Sequence, residues 1–272
     1  MDRHGLIESL FGVPRALIGS VHLEALPGTP ASKLSVDAVA EAAVADARHY
    51  ERAGFHAVLI ENTHDRPYLK AAAGPEVVAA MTAVGRAVRQ AIALPLGVQV
   101  LAGANRQAIA VAHASGAAFV RVEGFVFAHV ADEGLIEAGA GELLRYRRAI
   151  GAEAVRVFAD VKKKHASHAL TADVDAAETA RAAEFFLAEG VIVTGIATGQ
   201  PADPAEVRAV AEAVGVPTLI GSGITPDNIA DYPQADAFIV GSALKADGIW
   251  SNALDPARVD ALVRAYRALL GR

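Results

Sequence analysis

The sequence predicts an α/β fold, a (β/α)8 TIM barrel. Three observations carry this: a length that suits one large barrel, eight alternations of short apolar runs with amphipathic stretches, and polar residues gathered where those runs end. At 272 residues without a low-complexity interruption, the chain fits one barrel better than two average domains. Residues 1–272 are expected to form a single domain in which 1–15 is a short N-terminal extension. A doubly wound parallel sheet shares the alternation and is the main competing architecture.

The expected strands are Ala16–His22, His56–Glu61, Leu94–Gln99, Ala118–Glu123, Val155–Lys162, Gly190–Thr194, Pro217–Gly221 and Ala235–Gly241, each a short run of β-branched or apolar residues. Helices are expected near 36–53, 75–91, 104–115, 138–150, 174–188, 203–214, 225–232 and 256–270. Pro75, Pro204, Pro226 and Pro256 stand near helix starts, where a missing N–H is harmless, and Gly54, Gly116, Gly151 and Gly215 follow helix ends.

Composition removes several function classes. The 53% hydrophobic content is largely alanine on helix faces, and no apolar run is long enough for a transmembrane segment. Residues 1–16 mix acids with bases and lack an apolar core and a small-residue cleavage site, so a cytoplasmic location is expected. Without cysteine there is neither a disulfide nor a thiolate nucleophile. A net charge of −6, with no basic block, argues against a nucleic-acid partner. Trp250 is read as packing or a contact between protomers, and a homo-oligomer is expected.

Strand parity identifies the inward side chains, because alternate residues change face and the outer face must pack apolar helices. In the fifth strand Val155, Val157, Ala159 and Val161 share the apolar face, which turns Asp160 and Lys162 inward. The same reading places Arg121 and Glu123 inside the fourth strand, with His22, Glu61, Gln99 and Thr194 at the ends of others. These are carboxyl ends, where barrel enzymes assemble their sites. Asp160 as general base with Lys162 as oxyanion stabiliser or Schiff-base amine is the expected chemical centre, a structural Asp–Lys pair being the alternative. His22 and Glu61 are further catalytic candidates. His22 also suits a hydrogen-bonded structural role, and Glu61 that of an ion-pair partner of Arg121. Gln99, Arg121, Glu123, Lys164, His165, Thr194 and Thr198 are candidates to contact substrate. No cofactor is expected; His22, Glu61 and Asp160 could face a divalent metal, but no ligand spacing supports one.

The most specific local motif is Gly221-Ser222-Gly223-Ile224 after strand seven, joined by Gly241-Ser242 after strand eight. Glycines let backbone N–H groups approach an anion, the serines donate hydroxyl bonds, and following helix N-termini add partial positive charge. A phosphate group on a small ligand is the expected occupant, and tight βα turns are the plainer explanation.

A wider set of segments carries a family resemblance. It comprises Val21-His22-Leu23 with Leu26-Pro27-Gly28, Glu61-Asn62-Thr63 with Asp65 and Pro67-Tyr68, Phe119-Val120-Arg121-Val122, and Gly134-Leu135-Ile136-Glu137 with Glu142 to Arg147. Ala159-Asp160-Val161 with Lys164-His165-Ala166, Val193-Thr194-Gly195 with Thr198-Gly199, Ile220-Gly221-Ser222-Gly223, and Val240-Gly241-Ser242 with Leu244 to Gly248 complete it. Together they resemble the BtpA family of barrel proteins and photosystem I biogenesis factors. Gln99, Ala102 and Glu123 depart from that pattern, which suggests a changed substrate. The expected activity is on a sugar phosphate or nucleoside phosphate, by proton transfer or by lyase- or phosphorylase-type chemistry. The alternative implied by the resemblance is a non-catalytic photosystem I assembly or regulatory factor that retains the ligand site.

Overall fold

The computed structural model describes residues 3–195 and 199–271. The helices are α1 (Arg3–Phe11), α2 (Val36–Ala53), α3 (Pro75–Ala91), α4 (Asn105–Ser115), α5 (Ala140–Ala149), α6 (Ala176–Phe185), α7 (Pro204–Ala213) and α8 (Pro256–Leu269). The strands are β1 (Ala16–His22), β2 (Ala57–Glu61), β3 (Leu96–Gln99), β4 (Phe119–Val122), β5 (His129–Ala131), β6 (Gly134–Ile136), β7 (Arg156–Val161), β8 (Ala166–Ser167), β9 (Gly190–Val193), β10 (Thr218–Ile220) and β11 (Ala237–Val240). Strands β1, β2, β3, β4, β7, β9, β10 and β11 pair in parallel in that order and close back on β1. This is the expected (β/α)8 barrel.

Local chemistry explains most boundaries. The Ser35 side chain accepts from Ala38 N–H to start α2, and Gly54 ends it in the left-handed region at φ 95°. Asp175, Asp203 and Asp255 cap α6, α7 and α8 in the same manner as Ser35. The helix expected at 225–232 is instead a single 3-10 turn, Ile229–Asp231. Asn228 turns back on its own loop, accepting from Thr225 N–H at 2.8 Å and donating to Gly223 O at 2.8 Å. Such side-chain bonds compete with helical ones, and Pro233 follows at once.

Inside the barrel, Ile18, Leu59, Phe119, Phe158, Ile192, Leu219 and Ile239 form one buried cluster. The two phenyl rings fit because Gly97 lies beside Phe119 and Gly190 beside Phe158 in the sheet register. A Cβ on Gly97 would stand 2.3 Å from the Phe119 ring, and one on Gly190 2.6 Å from the Phe158 ring. Outward residues such as Leu17, Val58, Val98, Val120 and Val157 pack with the helices in a second, larger cluster. The alternation read from the sequence therefore holds along the strands.

Two regions go beyond the sequence reading. Part of the expected N-terminal extension is α1, whose Ile7 and Phe11 lie one turn apart and join the barrel's interior cluster beside Ala16, Ala57 and Ala237. Arg3 anchors it, with Nε 3.0 Å from Asp236 Oδ1, while Asp236 Oδ2 accepts from Thr218 N–H at 2.8 Å. The Phe11 ring meets Phe119 edge-on at a centroid distance of 5.6 Å. Phe11→Ala is accordingly expected to cost about 3 kcal/mol or more, read as a lower midpoint in urea unfolding. An unchanged midpoint would mean that α1 does not close the barrel.

The second region is a three-stranded antiparallel sheet, in the order β6-β5-β8, built from the loops after β4 and β7. Its hairpin turns through Asp132, Glu133 and Gly134, with Gly134 at φ 102°. Asp132 and Glu133 thereby reach the mouth of the barrel's main cavity.

Candidate functional site

A cavity of about 670 Å³ opens at the carboxyl ends of the barrel strands. Arg121 spans its floor. Its Nε donates to Asp160 Oδ1 at 3.1 Å and its Nη2 to Asp160 Oδ2 at 3.1 Å, while Nη1 lies 3.5 Å from Glu61 Oε1 and 3.4 Å from Gly221 O. Burial works against the guanidinium's charge, but Asp160 and Glu61 hold its pKa above the usual arginine value. Burial likewise raises the Asp160 pKa, with Arg121 opposing. The ion-pair alternative for Glu61 and Arg121 is thus present.

Glu61 also accepts a short hydrogen bond from the Ser20 hydroxyl. His22 Nε2 lies 3.7 Å from Glu61 Oε2, and Nδ1 is 2.9 Å from Trp250 O. A carbonyl can only accept, so Nδ1 carries the hydrogen of the neutral ring and Nε2 presents a lone pair. Burial lowers the His22 pKa, with Glu61 partly opposing, which favours that neutral form. The loops beneath are fastened together. Asp65 accepts from Leu26 N–H at 2.7 Å and from Asn62 Nδ2 at 2.9 Å, and Asn62 accepts from Leu101 N–H at 2.8 Å.

Glu123 faces inward as expected, but both of its oxygens are engaged, one by Gln99 Nε2 at 3.1 Å and the other by Lys163 Nζ at 2.9 Å. Asn105 clamps its backbone, donating to Glu123 O at 2.6 Å and accepting from Glu123 N–H at 3.2 Å. The expected Asp160–Lys162 neighbours do not form. Strand β7 ends at Val161, Lys162 enters the left-handed region at φ 44°, and its Nζ donates to Thr171 O at 2.9 Å. Parity lapses there, so Lys163 rather than Lys162 lines the main cavity.

Lys164 and His165 both line the cavity. Thr194 is buried, and its Oγ1 accepts from Lys164 N–H at 3.0 Å. Thr194 therefore sets the backbone of the lysine loop, and Thr198 lies outside the described residues. Burial, then Arg121, lowers the Lys164 pKa, and burial, then Lys164, lowers that of His165.

Gly221–Ile224 and Gly241–Ser242 line the same cavity. Among the described residues, the backbone N–H groups of Gly223, Ile224, Ser242 and Ala243 donate no hydrogen bond. Gly223 has φ 75°, and a Cβ there would stand 2.1 Å from Gln200 O. A Cβ on Gly241 would stand 2.7 Å from His22 Nε2, so the imidazole rests against this turn. Ser222 Oγ accepts from Gly195 N–H at 3.4 Å, which leaves its own hydrogen available. The expected contribution of helix dipoles is absent, because both loops run into 3-10 turns of three residues. An anion here would rely on N–H groups and the serine hydroxyls.

Sequence reasoning overlooked Ser20, Lys163, Asp132 and Glu133 among the cavity residues. A sequence signal existed for the last two, since Asp-Glu-Gly between short apolar runs marks a hairpin. Trp250 serves as packing at the rim, with His64 at a ring-centroid distance of 4.8 Å and Arg66 Cζ 4.7 Å from the ring centre.

Comparison with known proteins agrees with this architecture, since the BtpA family model matches residues 13–268. The chain belongs to the BtpA family. An uncharacterised Caenorhabditis elegans protein, named as mitochondrial, is 42% identical over 99% of both chains. The photosystem I biogenesis protein BtpA of Synechocystis is 37% identical over 94% of this chain and 89% of its own. Among solved structures, thiamine phosphate pyrophosphorylase from Pyrococcus furiosus superposes with a TM-score of 0.58 at 15% identity, covering 98% of this chain and 100% of its own. Phosphoribosyl anthranilate isomerase from Thermus thermophilus gives 0.57 at 13% identity, covering 93% and 99%. At these identities the likeness is one of fold. No described helix is long and apolar enough to cross a membrane.

Proposed function

We propose that the chain is an enzyme acting on a small phosphorylated metabolite, a sugar phosphate or nucleoside phosphate, by proton transfer or by lyase- or phosphorylase-type chemistry. One observation carries this reading: a single cavity brings together two glycine turns, with N–H groups that donate no hydrogen bond among the described residues, and the titratable side chains of His22, Glu61, Asp160 and Lys164. Phosphate would anchor at Gly221–Ile224 and Gly241–Ser242, setting the rest of the ligand over the Arg121 floor. His22 Nε2, beside both Glu61 and the Gly241 turn, is the proton acceptor in this reading. The fold's neighbours include two proteins whose names contain phosphorylated compounds, which is compatible with such a ligand. The cytoplasmic setting and the homo-oligomer expected from the sequence remain part of the proposal.

The test is a pair of calorimetric titrations on Ser222→Ala, with a phosphorylated ligand and its dephosphorylated analogue. Removing one hydroxyl donor to a charged group should weaken the phosphorylated ligand by roughly tenfold, in line with about 1.5 kcal/mol for a charge-assisted bond, and should spare the analogue. Equal losses for both would displace the anion from these turns. A second reading, a non-catalytic assembly factor using the same cavity, is favoured by the name of the Synechocystis relative. It requires ligand binding without turnover.

A further inference from the structure

Three consecutive lysines follow β7, and the structure gives them different surroundings. Lys162 Nζ is spent on Thr171 O and Lys163 Nζ on Glu123. Lys164 lines the cavity, yet among the described residues its Nζ has neither a carboxylate within ion-pair distance nor a hydrogen-bond acceptor. The nearby acids are already engaged, Asp160 by Arg121, Glu61 by Arg121 and Ser20, and Glu123 by Lys163 and Gln99. The Lys164 backbone is meanwhile held by Thr194. A half-buried amine with a fixed base and no counter-ion is placed for covalent chemistry rather than for structure.

We infer that Lys164 is a nucleophilic amine that condenses with an aldehyde or ketone carbon of the substrate to form an imine. This rests on the phosphorylated-metabolite reading and narrows it to carbonyl compounds. The Nζ lone pair forms a C–N bond while the carbonyl π electrons move to oxygen, and a proton passes from nitrogen to that oxygen. The hydroxyl then takes a second proton and leaves as water, the nitrogen lone pair completing the C=N bond. Hydrolysis reverses the sequence, and no oxidant or reductant is consumed. The protonated imine withdraws electrons from the adjacent carbon, which suits proton transfer or carbon–carbon cleavage there rather than glycosidic chemistry. Burial, and after it the Arg121 charge, lowers the Lys164 pKa, which enlarges the share of free amine relative to an exposed lysine.

The experiment uses pyridoxal 5′-phosphate as a phosphorylated aldehyde probe, and pyridoxal as its dephosphorylated counterpart, each followed by borohydride reduction and peptide mapping. Lys164 is expected to carry most of the label, with little on the exposed Lys33 and Lys70. Lys164→Arg should lose that label while remaining folded by circular dichroism, and Lys162→Met should keep it. Label distributed over surface lysines, or undiminished in Lys164→Arg, would overturn the inference. The phosphate reading is scored separately, because inorganic phosphate should compete with pyridoxal 5′-phosphate and not with pyridoxal. Equal labelling of Lys164 by both aldehydes, without phosphate competition, would retain the amine and remove the anion site.

Discussion

Arg121→Met is expected to destabilise the protein by roughly 3–5 kcal/mol, the usual cost of leaving buried charges without their partner. Asp160 and Glu61 both turn buried carboxylates toward that guanidinium, and Asp160 holds it through two parallel contacts. For a chain of this size the loss corresponds to a fall in Tm of about 10 °C, measurable by calorimetry or circular dichroism. The effect should also depend on pH. Burial already raises the Asp160 pKa against the pull of Arg121, and without Arg121 it would rise further. A carboxyl whose folded pKa exceeds its unfolded one binds a proton on folding, so its stability contribution is present at low pH and lost as pH rises through the folded pKa. The variant should therefore lie nearer the parent at pH 5 than at pH 8. A variant as stable as the parent at pH 8 would show that the floor charges are solvated rather than mutually compensated.

Gly241→Asp is expected to abolish phosphate binding. Even a bare Cβ would stand 2.7 Å from His22 Nε2 and 3.3 Å from Ser20 Cβ, so the imidazole must move before any carboxylate is accommodated. The carboxylate then stands beside the N–H groups that the anion would use, and like charges so placed cost several kcal/mol, a loss of at least about 10²-fold in affinity. Titration calorimetry with inorganic phosphate measures this directly. Gly241→Ala separates the two causes, since it displaces His22 without adding charge and should lose less. A folded Gly241→Asp protein with the parent's phosphate affinity would sink the assignment of this turn.

The inward ring of His22, Glu61, Gln99, Arg121, Glu123 and Asp160 was legible because strand side chains alternate and the outer face declares itself by its valines and alanines. Gly54 marked the end of α2 and Pro75 the start of α3 to the residue, since their backbone restrictions act locally. The Gly221–Ile224 and Gly241–Ser242 loops were likewise visible as lining one cavity, because consecutive strands of a closed barrel bring their following loops together. Parity extends only as far as the extended backbone, however. Lys162 leaves it at φ 44°, and that one change exchanged Lys162 for Lys163 in the cavity. The Arg121–Asp160 pair, the proton on His22 Nδ1 and the burial of α1 each join residues far apart in the chain, Trp250 O lying 228 positions from His22. Local sequence therefore determined which side chains face the barrel's interior, through backbone geometry that each strand sets for itself. Tertiary structure decided which of them pair and which amine has no partner among the described residues, because electrostatic partners are chosen by distance in space and by the shared loss of water.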